Sequence, residues 1–140
     1  MQLNSYQKTE IETADRGKLI LMIYDHCLRW MKIAKEAIEN KKIEDRTKAI
    51  FKVQDGITEL QCALDYERGG EIAKNLSRLY DFYGRHLSEA NLKNSAQHID
   101  EVYNMMNGLR QSWEDCFRKV RVNREADMNM RQKTYISMVG

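Results

Sequence analysis

The sequence predicts an all-α protein, an antiparallel up-down four-helix bundle with an extended N-terminal arm and a possible short extra C-terminal helix. Apolar residues recur at three- and four-residue steps over residues 50–64 and 72–90, on either side of Gly69 and Gly70. This spacing is typical of one face of a helix. The chain of 140 residues has no proline to interrupt a helix. Short polar links between the predicted helices favour antiparallel neighbours.

We divide the chain into three parts: an N-terminal arm over residues 1–16, a helical bundle over 17–122 and a basic C-terminal extension over 123–140. The arm is polar, with isolated Tyr6 and Ile11, and it shows no helical period. We expect it to be extended and to dock a few apolar side chains. The extension has weak periodicity, which predicts a frayed segment or a short, loosely packed helix.

Helix 1 is predicted over residues 17–40, with Asp15 as its N-cap. Its predicted core stripe consists of Leu19, Ile23, Cys27, Trp30, Ala34 and Ala37. At 100° per residue, Leu21, Tyr24 and Leu28 fall on the opposite side of the helix. The first half of this helix is therefore apolar nearly all round. Its second face needs a cover, which could be the arm, a fifth helix or another protein.

Helix 2 is predicted over residues 43–68 and helix 3 over 70–92, with a sharp reversal at the paired glycines, which tolerate left-handed backbone. Helix 4 is predicted to begin at the N-cap Ser95 and to continue to Val122. Gly56 lies inside helix 2, where glycine costs about 1 kcal/mol relative to alanine. A close approach of another helix at Gly56 would account for it.

Composition and charge argue against several classes of partner. The formal net charge is only +2, and the basic excess lies in the tail, so nucleic-acid binding is not expected. No apolar run approaches ~18 residues, so we expect no membrane insertion. The chain has three cysteines without a CxxC pair and no apolar signal core at its start. These features favour a reducing, cytoplasmic location.

The sequence offers little that resembles a catalytic or metal site. His26 and Cys27 are adjacent, but neighbours on a helix point about 100° apart and are poorly placed to share a hydrogen bond. His86, His98 and the cysteines lack the spacing of metal ligands. No pair of acidic residues stands out as an acid and a base. We therefore expect no enzyme activity, no cofactor and no metal. What remains is apolar helical surface, which favours docking of an amphipathic segment.

Several segments occur in order and together resemble one family. The segments are Lys-Leu-Ile-Leu-Met-Ile-Tyr-Asp at 18–25, Gln-Asp-Gly-Ile-Thr-Glu-Leu at 54–60, Leu-Asp-Tyr-Glu-Arg-Gly-Gly-Glu-Ile-Ala at 64–73, Leu-Tyr-Asp at 79–81 and Glu-Ala-Asn-Leu-Lys-Asn at 89–94. In these segments the sequence resembles the flagellar secretion chaperones of the FliS family. It departs from the family pattern before helix 1, where Asp15-Arg16-Gly17 replaces Ser-Pro, and after Tyr24-Asp25, where His26-Cys27 is bulkier than Gly-Ala.

The resemblance implies a cytoplasmic export chaperone that binds the C-terminal region of flagellin. Such a protein prevents premature polymerisation of flagellin and assists its delivery to the flagellar export gate, as a monomer or weak homodimer. The arm would cover part of the binding groove before the client arrives. The candidate partner-binding residues are Tyr6, Ile11, Leu21, Tyr24, Leu28, Asp65, Tyr66, Asn91 and Asn94. Two alternatives are a regulatory helical adaptor for another flagellar or transcriptional protein and a cytoplasmic thiol enzyme using Cys27.

Overall fold

The computed structural model describes the backbone of residues 5–139 and the side chains of residues 5, 8, 15–134 and 136–138. The described chain forms four helices: α1 (Ser5–Glu39), α2 (Ile43–Cys62), α3 (Tyr66–Lys93) and α4 (Ala96–Val139). Each helix packs against its neighbours in the chain, and α1 also packs against α4. The predicted all-α four-helix bundle is thus confirmed.

Ion pairs between α1 and α4 show their antiparallel register. Asp25 of α1 accepts a hydrogen bond of 2.5 Å from Nε of Arg110, and Lys35 Nζ lies 3.0 Å from the Oδ1 of Asp100. Residue numbers therefore rise along α1 as they fall along α4. Further toward the start of α1, Gly17 lies against the ring of Phe117. The first turns of α1 consequently run beside the second half of α4.

The core lies between all four helices and contains a polar network. The hydroxyl groups of Tyr24 and Tyr80 lie 2.6 Å apart, and the indole Nε1–H of Trp113 donates to the Tyr24 hydroxyl over 3.1 Å. Burial raises the pKa of Tyr24, so its hydroxyl stays protonated. A buried hydroxyl is costly unless it is hydrogen-bonded, and these contacts satisfy it. They also connect α1, α3 and α4 through one atom.

Both ends of the chain are more helical than predicted. The prediction of an extended arm is wrong for the described backbone, because α1 begins at Ser5 and not at Gly17. The β-branched residues of the arm lower helix propensity only by tenths of a kcal/mol, and no proline separates them from the bundle. The predicted end of helix 4 at Val122 is also wrong, since α4 continues to Val139 as one helix. No glycine or proline follows Gly108 until the last residue.

The reversal between α2 and α3 lies earlier than predicted. The α2 helix ends at Cys62, and Asp65 caps α3 by accepting a 3.1 Å hydrogen bond from the backbone N–H of Arg68. Gly70 does adopt left-handed backbone, with φ 50° and ψ −125°, but it kinks α3 and does not reverse the chain. The side-chain cap at Asp65 satisfies an N–H group at the start of α3, so the helix can begin before the glycines.

Candidate partner-binding surface

The predicted outward face of α1 lies mostly in the core. Tyr24 is 0% exposed and Leu28 is 8% exposed, whereas Leu19, from the predicted core stripe, is 56% exposed. The predicted core stripe is confirmed at Cys27, Ala34 and Ala37, which are buried, but it is wrong at Leu19. The predicted outward placement of Tyr24 and Leu28 is also wrong, so these two residues offer little or no surface to a partner. Because this part of α1 is apolar nearly all round, only the positions of α2 and α4 decide which side is buried.

Leu21 lines a groove between α1 and α4. We call it the α1–α4 groove; its volume is about 560 Å³. Apolar residues form its floor: Gly17, Leu21, Phe117, Val120 and Met128. Charged residues of both signs surround them: Asp15, Lys18, Glu114, Arg118, Arg121, Arg124 and Glu125. An apolar floor with a charged rim suits the apolar side chains of an amphipathic helix whose polar face meets the rim.

Close packing of α1 and α4 shapes the floor of this groove. A Cβ added at Gly17 would lie 3.1 Å from Cγ of Phe117, so glycine allows the two helices to approach closely here. The Phe117 ring in turn stacks on Trp113, with ring centroids 5.5 Å apart. Since Trp113 also bonds to Tyr24, the core network supports the groove floor from below.

The part of the groove that α4 contributes was not predicted from the sequence. Phe117, Val120, Arg124 and Met128 recur at three- and four-residue steps, which places them on one face of a helix. This signal was available, but helix 4 was predicted to end at Val122. A continuous α4 brings all four residues to the side that faces α1.

A second apolar area lies on the outer side of α2. Ile43 and Phe51 are exposed and line a shallow depression of about 430 Å³. The other residues around it are polar or charged: Glu44, Thr47, Lys48, Lys52 and Asp55. This depression involves residues of one helix only, so it offers a partner helix less enclosure than the α1–α4 groove does.

The remaining predicted site residues fall into three groups, of which the first two lie in α1 and at the start of α3. Tyr6 and Ile11 belong to the first turns of α1, and their side chains lie outside the described residues. Asp65 and Tyr66 stand at the start of α3, where Asp65 serves as the cap and Tyr66 is half exposed. Tyr66 therefore presents aromatic surface to solvent at the α2–α3 turn.

Asn91 and Asn94 make contacts within the bundle. Oδ1 of Asn91 accepts hydrogen bonds from Nε of Arg46 at 2.8 Å and from the hydroxyl of Thr47 at 3.0 Å. Oδ1 of Asn94 accepts a bond of 2.8 Å from the same guanidinium group, and Asn94 ends α3 in left-handed backbone with φ 52°. Both asparagines thus hold the α3–α4 turn against α2.

The environment of Cys27 does not suit a nucleophile. Cys27 is fully buried, and its Sγ lies 3.7 Å from the carbonyl oxygen of Val53. Burial, together with the nearby carboxylate of Glu59, raises the pKa of the Cys27 thiol to about 12. The adjacent His26 places its Nε2 3.0 Å from the carbonyl oxygen of Lys52. The structure therefore gives no support to the thiol-enzyme alternative.

Among the described residues, no helix combines the length and the apolar character needed to cross a bilayer. The fold and its surfaces define a helical-bundle protein with an apolar groove between α1 and α4 that suits a partner helix.

Comparison with known proteins identifies the family. The family model described as flagellar protein FliS matches residues 1–120. Flagellar secretion chaperones FliS from Campylobacter jejuni and Bacillus subtilis are 39% and 32% identical to this chain; the alignments cover 80% and 86% of it and 88% and 89% of those proteins. The Salmonella typhimurium FliS is 34% identical, over 79% of this chain and 86% of its own. The chain belongs to the FliS family.

A solved structure described as a flagellar chaperone from bacteria has the same fold. It superposes with a TM-score of 0.69 at 17% sequence identity, covering 74% of this chain and 85% of the other. Members of the family are named as chaperones, a non-enzymatic role. Family membership supports a role in flagellar export for this protein.

Proposed function

We propose that this protein is a cytoplasmic export chaperone that binds the C-terminal region of flagellin, prevents its premature polymerisation and assists its delivery to the flagellar export gate. The observation that carries this proposal is the match to the FliS family over residues 1–120, with relatives named as flagellar secretion chaperones. The partly apolar surface of the bundle supports it, because such a chaperone must offer apolar contacts that the client otherwise makes with other flagellin subunits.

We infer that the α1–α4 groove receives apolar side chains of the client. Its volume of about 560 Å³ lies in the range of ligand pockets, about 300–1,000 Å³, so it can hold a few side chains from one or two helical turns. Each Leu, Ile or Phe buried there would contribute ~1.5–3 kcal/mol. The cost of ordering the client offsets part of this gain.

Two substitutions test this site, one on each helix that lines it: Leu21→Asp on α1 and Met128→Asp on α4. Each change puts a carboxylate on the apolar floor, so we expect the affinity for a flagellin C-terminal peptide to fall at least tenfold in calorimetric titration. Leu92→Asp is the matched control, since Leu92 is 87% exposed on α3 and lies outside the groove. Thermal melts of all three variants report whether the fold is retained.

The possible results distinguish a wrong binding site from a wrong client. If Leu92→Asp lowers the affinity for the peptide as much as Met128→Asp does, and both variants are folded, the groove is not the binding site. If the unmodified protein forms no one-to-one complex with purified flagellin, the proposed client is wrong. Capture of a different flagellar or transcriptional protein would then favour the adaptor alternative.

A further inference from the structure

Two histidines and two glutamates meet where α3 turns into α4. The rings of His86 and His98 are stacked, with centroids 4.3 Å apart and planes inclined by 29°. Nε2 of His86 lies 2.5 Å from the Oε2 of Glu101, and Nε2 of His98 lies 3.3 Å from the Oε2 of Glu89. Each imidazole thus pairs with a carboxylate from the other helix. Sequence spacing had indicated no metal site, but the fold brings these residues together.

We propose that His86, Glu89 and His98 form a binding site for a divalent first-row transition metal ion such as Zn²⁺. One ligand atom from each of the three residues lies within 4.8 Å of the others. Imidazole nitrogen and carboxylate oxygen bind Zn²⁺ at about 2.0–2.2 Å, which places tetrahedral ligand atoms roughly 3.3 Å apart. Binding would require the stacked imidazoles to rotate until one nitrogen of each ring points at the same ion. Where Nε2 of His86 is the ligand, it would exchange its contact with Glu101 for the ion.

Neighbouring contacts already orient both imidazoles. Nδ1 of His98 lies 2.6 Å from the hydroxyl oxygen of Ser95, so the other nitrogen, Nε2, is the one directed toward Glu89. The ring of His86 stacks on Phe82, with centroids 5.0 Å apart. A hydrogen bond to the nitrogen that does not bind the ion, as between Ser95 and His98, fixes the tautomer of a metal-binding histidine and contributes to metal affinity.

The accessibility of the cluster suits an ion that enters from solvent. The side chains of His86 and His98 are mostly buried, whereas that of Glu89 is about half exposed. The carboxylate therefore lies on the open side of the cluster, with the two imidazoles beneath it. An ion bound there would join α3 to α4 across the turn between them. His98 lies in the first turn of α4, whereas the α1–α4 groove is lined by residues 114–128 in the middle of that helix, so this site does not depend on the proposed client site.

Calorimetric titration with ZnCl₂ tests the proposal on the full chain. All proteins carry Cys62→Ser and Cys116→Ser, because these exposed thiols would also bind zinc. We expect one ion per chain and a rise in Tm on addition of zinc. His98→Gln and Glu89→Gln should each lower the zinc affinity at least tenfold and reduce the rise in Tm.

His26→Gln is the matched control, since it removes the third histidine of the chain, which lies on α1. It should leave zinc affinity unchanged. Absence of one-to-one binding would overturn the proposal, and so would equal loss of affinity in His26→Gln and His98→Gln. Melts without zinc verify folding, and Glu89→Gln keeps the test decisive if a histidine variant does not fold, because Glu89 is exposed.

Discussion

Replacement of Gly56 by alanine tests the close approach of α1 and α2, which the sequence analysis predicted at this glycine. A Cβ added at Gly56 would lie 2.5 Å from Sγ of Cys27 and 3.1 Å from Cδ2 of His26. Non-bonded heavy atoms normally pack ~3.5–4.0 Å apart, so the overlap with the sulfur is about 1 Å or more. Cys27 is fully buried. The sulfur cannot move into solvent, and the helices must separate or neighbouring side chains must repack.

The expected magnitude follows from two opposing terms. Overpacking a core costs typically ~1–3 kcal/mol, and this overlap with a buried atom places Gly56→Ala in the upper part of that range. Alanine recovers about 1 kcal/mol of helix propensity relative to glycine. We therefore expect the free energy of unfolding to fall by about 1–2 kcal/mol, measured by urea denaturation followed by circular dichroism.

A double-mutant cycle with Cys27→Ala identifies the cause. Without the sulfur, Gly56→Ala should become neutral or stabilising by up to about 1 kcal/mol, since mainly the propensity term remains. Gly108→Ala is the control, because nothing lies within 4 Å of a Cβ added at Gly108, and it should stabilise α4 by about 1 kcal/mol. The steric explanation is wrong if Gly56→Ala changes the free energy of unfolding equally with and without Cys27, or by the same amount as Gly108→Ala.

Three further predictions concern the core, the kink and the thiols. Tyr24→Phe leaves two polar partners without their shared hydroxyl, so urea unfolding should show a loss of about 1–3 kcal/mol; unchanged stability would contradict the role of the network. Gly70→Ala should cost about 1–3 kcal/mol in the same assay, because φ 50° with ψ −125° strains any other residue; a stabilised variant would contradict the kink. Iodoacetamide at pH 7 should modify Cys62 and Cys116 in the folded protein but Cys27 only after denaturation. Mass spectrometry of digests measures the extent of alkylation at each cysteine, and rapid modification of Cys27 in the native protein would contradict its burial.

The sequence predicted most of the core faces of α2 and α3 because each helix has a single apolar stripe. Among the apolar residues that recur over 50–64 and 72–90, Val53, Leu60, Tyr83 and Leu87 are buried, whereas Ile72 is 70% exposed. For the first half of α1 the same method placed Leu19, Tyr24 and Leu28 on the wrong side, since apolar residues surround this half and periodicity then has no unique phase. Which side of α1 is buried depends on where α2 and α4 lie, and sequence spacing does not contain that information.

Sites whose residues come from two helices also could not be predicted from the spacing of residues in the sequence. His86 and His98 belong to different helices, so their distance depends on where the α3–α4 turn falls and how the helices pack. The α1–α4 groove likewise depends on the register that places Gly17 against Phe117. The resemblance to the FliS family supplied the expected function, but it did not indicate how far α4 continues.

The family match stops at residue 120, yet Arg121, Arg124 and Met128 form part of the groove wall. Most of this surface thus comes from the shared bundle, including Phe117 and Val120 of α4, and the rest comes from a segment beyond the family match. If the α1–α4 groove receives the client as proposed, sequence change in that segment would alter client preference while the bundle core keeps its packing. Exchange of residues 121–139 between relatives would then change which client is bound without changing the fold.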